Sequence, residues 1–580
     1  MDRTMPRGLQ VARLTWLAIL LLGLAVLLMQ LALAHRFWTP VGFVDAWPLY
    51  DRLMRFSQGQ LSLDHYLLDP HVHPHSIVYL LYLIDARLGS GRQVVPHVAT
   101  LVGVVALALL LAGLCWQARP AGTRGDLRLA LLLAGIAILV SGVSEATIIP
   151  FQCVVVVTRV TYVGLLAILV FCQFRPRPAL HAAALAASTV AISFYASAGV
   201  FAAEIVLLHL LAMRRWVWLL LSALPLAAYL LLMAHYPPPL GEENAIRALI
   251  QDMDWTTLAR IAAGAAAYYA TPLVEGWWAP LTPAWDASSL LVTAIGAVVG
   301  IVTTVWALAV LGGLFIGQWR RGRVLPAYTA LRCLMALLSL WVLASALSAA
   351  LLWLARARIL GPAMGPAHYN VLVSGRYAAF AGLAFVVLLF LAATMRRRRS
   401  GLVIAGAMFA LVCGDAVHAG FRDRGQGYRT DERRALDLAS TALLMGLPPT
   451  APEARAVWPD APNYAFWVGE LPKIEAFLRA EGLSYAQGQP MLAQVVERPA
   501  AAVDAVTILP VADDARICRL HGTTAPFQAR FTFAPRRVQA VTLASGIVVG
   551  YALRDGTMVE GHMLCVDASD HQALFVAGTR

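Results

Sequence analysis

The chain has 580 residues, of which 59% are hydrophobic and only 13% charged, and its mean hydropathy is +0.68. Soluble domains carry roughly 45–50% apolar and about 25% charged residues, so this composition cannot cover a water-soluble body and predicts a polytopic membrane protein. The net charge of +12 sits in short arginine clusters between apolar runs, with Lys473 the only lysine, which argues against a nucleic-acid-binding surface.

Apolar runs of about 18 residues or more are long enough to cross a bilayer core as helices. About eleven occur, near 14–34, 95–117, 128–145, 156–174, 179–197, 200–213, 216–234, 287–318, 327–355, 377–395 and 401–418. The first is long, has no clear small-residue cleavage site and leads into further spans, so it reads as a membrane helix rather than a signal peptide. Arginines precede the first span (Arg3, Arg7, Arg13) and then recur at every second connection: Arg119, Arg124 and Arg128; Arg175 and Arg177; Arg214 and Arg215; Arg320, Arg321 and Arg323; Arg396 to Arg399. By the positive-inside rule these connections are cytoplasmic. That orientation predicts a cytoplasmic N-terminus and, with an odd number of spans, an outer C-terminus.

Three outer segments are large. The first loop, about 35–94, is polar, and its stretch 77–88 has apolar residues at helical spacing ending in Asp85 and Arg87, which suits a helix lying in the membrane interface. The loop at about 235–286 carries Pro237 to Pro239, a helix-like apolar stretch, and then Glu275, Gly276 and the interfacial pair Trp277 and Trp278. The third is the tail. Hydropathy falls there and turn residues separate short β-prone runs at 530–533, 539–543 and 547–553. This predicts a small α+β or mainly β domain over 421–580, helical near 431–445 and 471–481, with strands after about 490. The membrane domain covers 1–420.

Cys115, Cys153, Cys172, Cys333 and Cys413 fall in or beside spans and read as packing residues, whereas Cys518 and Cys565 both lie in the tail, where a disulfide or two free thiols are equally open. No zinc-type cysteine spacing and no phosphate-cradling Gly-rich loop followed by Lys-Ser/Thr is present, which leaves ATP-driven transport without support.

An ionisable side chain at membrane depth is expensive and marks a functional hypothesis. Asp45, between aromatics just past the first span, is either a general base of raised pKa or the N-cap of a following helix with Pro48 in its first turn. Arg356, Arg358 and Arg376 run against the positive-inside rule, being on the outer side. Guanidinium groups bind phosphate bidentately, so these three read as phosphate ligands or as snorkelling and ion-pairing residues, with Glu275 or Asp286 as partners. His71, His73 and His75 alternate after Asp69, a spacing open to a metal, to a phosphate or sugar contact, or to plain hydrogen bonding. Gln152 and Arg159 read as cavity-lining residues, and Glu204 with His209 as an ion path or a buried pair.

Asp45-x-Trp47-x-x-Tyr50 followed by Gly59-Gln60-Leu61-Ser62-Leu63, together with Ser374-Gly375-Arg376-Tyr377 at the outer start of a late span, resembles the pattern of bacterial GT-C glycosyltransferases. The order of parts matches too: one span, a long outer loop with an early acidic residue, interfacial helices, further spans, then an exported domain. The resemblance covers roughly 1–420. One departure is His71-Val72-His73-Pro74-His75, where related bacterial members carry a Glu-His-Arg-like run.

The resemblance implies an inverting transfer from a polyprenyl-phosphate sugar, with the lipid in a groove between spans, on the periplasmic face of a bacterial inner membrane. It makes Asp45 the catalytic base. Arg376, Arg356, Arg358 and Tyr377 become ligands of the donor phosphate, with His73, His75, Gln152 and Glu275 as further donor or acceptor contacts. It implies no nucleotide and no obligatory metal, though a divalent ion is compatible. The acceptor would be a cell-envelope glycan, lipid or protein. The rival readings are a transporter or flippase of lipid-linked precursors, which favours charges near the midplane and internal symmetry, and a receptor or scaffold acting through the tail.

Overall fold

The computed structural model describes residues 7–37, 46–68, 76–119, 126–142, 153–174, 248–273, 290–321, 326–360, 375–425, 501–511, 514–524, 538–555, 557–565 and 575–577, with scattered positions in 216–235 and 473–483. Its helices are α1 (Arg7–Phe37), α2 (Ala46–Ser57), α3 (Leu63–Leu68), α4 (Ser76–Leu88), α5 (Val94–Gln117), α6 (Leu127–Val140), α7 (Cys153–Phe174), α8 (Trp255–Leu273), α9 (Leu290–Arg321), α10 (Ala327–Leu360), α11 (Gly375–Thr394) and α12 (Arg398–Gly425). Among the described residues, five helical segments are long and apolar enough to cross a membrane: Val11–His35, Val94–Gln117, Thr293–Ile316, Ala327–Leu352 and Arg398–Val417. Shorter apolar helices run over Leu127–Val140, Cys153–Ile168 and Phe380–Thr394. The expected spans at 179–197 and 200–213 lie outside the described residues, and that at 216–234 is described only at scattered helical positions.

The outer faces are apolar, as a lipid-facing surface requires. Leu14, Leu17, Leu21, Leu24 and Leu28 on α1 and Val298, Ile301, Val305 and Leu308 on α9 are exposed at three- and four-residue spacing. The centre is formed by α10 and α11, where Trp341, Leu338, Val386 and Leu389 are fully buried. With little hydrophobic drive between helices in lipid, packing comes from close backbone approach at small residues. Gly23 of α1 lies against Ala134 of α6, where an added Cβ would stand 2.6 Å from the alanine Cβ. Gly296 of α9 sits on the Ala266 carbonyl of α8, leaving no room for any side chain.

Side-chain contacts fix the helix directions. Arg128 at the start of α6 donates Nη1 to the Met395 carbonyl just past α11, at 3.0 Å. At the other end of α6, Ser141 donates to Gln30 of α1. His35 near the end of α1 meets His97 in the first turn of α5 at 3.3 Å. Trp341 of α10 meets Phe380 of α11 edge to face and Tyr328 of α10 meets Phe390 of α11 at a tilt, so these two helices are antiparallel. One end of the bundle therefore collects the C-terminal ends of α1, α6 and α10 and the N-terminal ends of α5 and α11. This is the cap end. Arg119, Arg128 and Arg396 to Arg399 gather at the opposite, basic end. Among the described residues these basic connections cluster on one side as expected, while those at Arg175 and Arg177 and at Arg214 and Arg215 lie outside the described residues.

The cap consists of α2, α3 and α4, inserted between α1 and α5. The helix expected over 77–88 is α4. Its core is built from tyrosines that are apolar in body and bonded at the tip: Tyr50 OH donates to the Gly91 carbonyl at 3.0 Å, Tyr66 OH to the Tyr79 carbonyl at 3.0 Å, and Tyr82 OH to Gln93 Oε1 at 2.7 Å. Arg52 lies 4.3 Å over the Tyr79 ring and donates to the carbonyls of His65 and Tyr66.

The tail contains a closed antiparallel barrel of β1 (Ala501–Val511), β2 (Asp514–Thr524), β3 (Val538–Thr542), β4 (Val548–Asp555), β5 (Met558–Leu564) and β6 (Phe575–Ala577), ordered β1-β2-β5-β4-β3-β6. Closure comes from the short β6, which pairs with both β1 and β3 and so leaves no open edge. Leu520, Val541, Val559 and Met563 fill the interior. Cys518 of β2 and Cys565, just past β5, form a disulfide with Cα atoms 5.0 Å apart. The runs expected at 539–543 and 547–553 are β3 and β4. Those at 530–533 and 431–445 lie outside the described residues, and the helix near 471–481 is seen at positions from Lys473 to Ala480.

Candidate functional site at the cap end

Among the candidate positions, those on α10 and α11 are described. Arg356 and Arg358 belong to the last two turns of α10, and Arg376 and Tyr377 to the first turn of α11, so all four backbones stand at that end. Asp45 immediately precedes Ala46, the first residue of α2, in the position open to an N-cap, and Pro48 falls in the first turn as expected. Gln152 immediately precedes α7, and Glu275 follows the last residue of α8 by two positions. His71, His73 and His75 fall between α3 and α4. Asp45, these histidines, Gln152, Glu204, His209 and Glu275 lie outside the described residues. Among the described residues no group of three or more His, Cys, Asp or Glu side chains is placed to hold a metal ion.

The scaffold around this end is polar inside, with Asp85, Gln93 and His97 all buried. Asp85, at the end of α4, is 1% exposed. Its carboxylate accepts from the Gln93 amide at 2.7 Å and the Val95 amide at 2.8 Å. It thus caps the N-terminus of α5 from eight or more residues away, where the free amides and the helix dipole favour a carboxylate. Gln93 has φ 60°, a left-handed conformation held by these bonds and by Tyr82. Burial pushes the Asp85 carboxyl above its ordinary value, opposed by the backbone amides. Burial likewise raises the Tyr66 hydroxyl, leaving it a neutral donor.

Arg159 stands six positions into α7, about 9 Å along the helix axis. It is 2% exposed, with Tyr268 of α8 close enough to feel its charge. It is packed within the bundle. A buried guanidinium near the cap end remains a functional candidate by position.

Sequence reasoning missed the Asp85–Gln93–Tyr82 lock, the His35–His97 contact and the Gln30–Ser141 bond. Asp85 carried one usable signal, an acidic residue closing an apolar helix just before another helix start. The other pairs join residues 62 and 111 positions apart, and nothing in the local sequence announces them.

Among the described residues, the backbones of Arg356, Arg358, Arg376 and Tyr377 stand at the same end as the hydrogen-bonded cap of α2, α3 and α4. No protein-family model, curated protein or solved structure matches this chain.

Proposed function

We propose that this protein is an inverting glycosyltransferase that moves a sugar from a polyprenyl-phosphate donor to a cell-envelope acceptor at the cap end of its helical bundle. The observation that carries the reading is the convergence of Arg356, Arg358, Arg376 and Tyr377 on the end where α2 begins, directly after Asp45. Those arginines stand opposite the basic end, so membrane orientation does not account for them.

In this reading the acceptor oxygen attacks the anomeric carbon as the bond from that carbon to the phosphate oxygen breaks. The acceptor proton passes to the Asp45 carboxylate, and the electron pair leaves with the polyprenyl phosphate. Arg376, with Arg356 or Arg358, holds the charge that develops there. A positioned base and fixed cations at the departing charge are the two parts that such a displacement requires. The basic end would face the cytoplasm, with the cap and tail in the periplasm and about eleven spans between. The Cys518–Cys565 bridge agrees with an oxidising compartment.

The test is transfer by the purified, reconstituted protein with a panel of polyprenyl-phosphate sugars. Asp45→Asn and Arg376→Ala are each expected to lower the rate by about 100-fold or more. Wild-type rates in both variants would overturn the mechanism.

A further inference from the structure

We infer that the basic end holds a binding site for one anionic membrane lipid, in the cavity that opens between α9, α10, α11 and α12. The cavity measures about 780 Å³, within the range of ligand sites that bury most of an organic molecule. Its walls divide by chemistry. Trp306 of α9, Leu388 and Leu391 of α11, and Ile404 and Met408 of α12 form an apolar trough, while Arg332 of α10 and Arg396, just past α11, stand with Tyr328 in the same lining.

The trough and the two arginines select the occupant together. A soluble anion gains nothing from the apolar walls, and a hydrocarbon alone gains nothing from the guanidinium groups. A lipid phosphate uses both, its acyl chain in the trough and its phosphate between two donors, one on α10 and one in the connection after α11. Among the described residues neither Arg332 nor Arg396 makes an ion pair with an acidic side chain, so charge complementarity is left for a ligand. Arg396 also opens the run Arg396 to Arg399, which raises the local positive potential. Basic pockets between membrane helices recognise acidic headgroups in this way. The site lies at the opposite end of the bundle from Asp45 and Arg376 and does not depend on the transferase reading.

The experiment is native mass spectrometry of the full chain in detergent, titrated with phosphatidylglycerol, with phosphatidylcholine of the same acyl chains, and with glycerol 3-phosphate. The expected result is a first phosphatidylglycerol adduct retained about tenfold better than its phosphatidylcholine counterpart, and none with glycerol 3-phosphate. The Arg332→Gln/Arg396→Gln double variant is expected to lose that adduct about tenfold. Ile404→Trp, which fills the trough and keeps both arginines, is expected to lose it as well, and thermal unfolding of each variant checks that it is folded. If the double variant does not fold, Ile404→Trp decides. Equal retention of the two lipids, an undiminished adduct in a folded variant, or glycerol 3-phosphate binding as tightly as phosphatidylglycerol would overturn the assignment.

Discussion

Asp85 and Asp126 both serve helix starts, yet their surroundings move them in opposite directions. At Asp85 burial dominates and raises the carboxyl, so the folded chain holds a proton that the unfolded chain has released. The stability this group contributes is fullest below the ordinary value of 3.8 and declines as pH rises through the raised value. The difference in Tm between wild type and Asp85→Asn is expected to narrow over that interval; a widening gap would show that the amide bonds outweigh burial. Asp85→Ala, which leaves one buried and one half-buried amide without this acceptor, is expected to lower stability by about 2 kcal/mol in a denaturant titration.

Burial would also raise Asp126, but the hydrogen bonds and charge of Arg128 outweigh it and hold the carboxyl below 3.8. Its contribution is therefore present above 3.8 and lost as pH falls through the lowered value. Acidification is expected to erase the stability difference between wild type and Asp126→Asn. Persistence of that difference at low pH would remove the ion pair as its cause.

At the scale of elements, the contacts that decide packing are made by residues with little side chain. Gly296 brings the α9 backbone onto the Ala266 carbonyl. Gly296→Leu is expected to force α8 and α9 apart and cost about 3 kcal/mol, read as earlier unfolding of the detergent-solubilised protein. An unchanged midpoint would mean that the two helices separate without penalty. Helix existence was legible for α4 because its apolar residues recur at helical spacing, and for α10 and α11 because their apolar runs are long. What was not legible is that Tyr50, Tyr66 and Tyr82 bind backbone and Gln93 groups and turn three short helices into one cap. Those bonds link elements that local sequence treats separately.

At the scale of the whole molecule, orientation carries the functional reading. A phosphatase fused after residue 420 is expected to be active if, as proposed, the tail lies across the membrane from the basic end. An inactive but expressed fusion would sink both the orientation and the proposed site. The disulfide provides a second measurement. Cys518 and Cys565 close a loop spanning 47 positions, and Cys518→Ser/Cys565→Ser is expected to destabilise the barrel by about 4 kcal/mol in the loop-closure treatment. Protease digestion of the full chain with and without reductant reads it directly.

The sequence by itself determined that this is a membrane protein with a strand-rich tail, where most of its helices run and which connections are basic. These properties depend on composition, run length and hydropathy period, which act locally along the chain. Only the tertiary structure decided that Asp85 caps α5, that Arg159 is packed inside the bundle, that Cys518 reaches Cys565 and that the strands close into a barrel. Each of these depends on which helix ends and strands become neighbours, and close packing between residues far apart in the chain sets that.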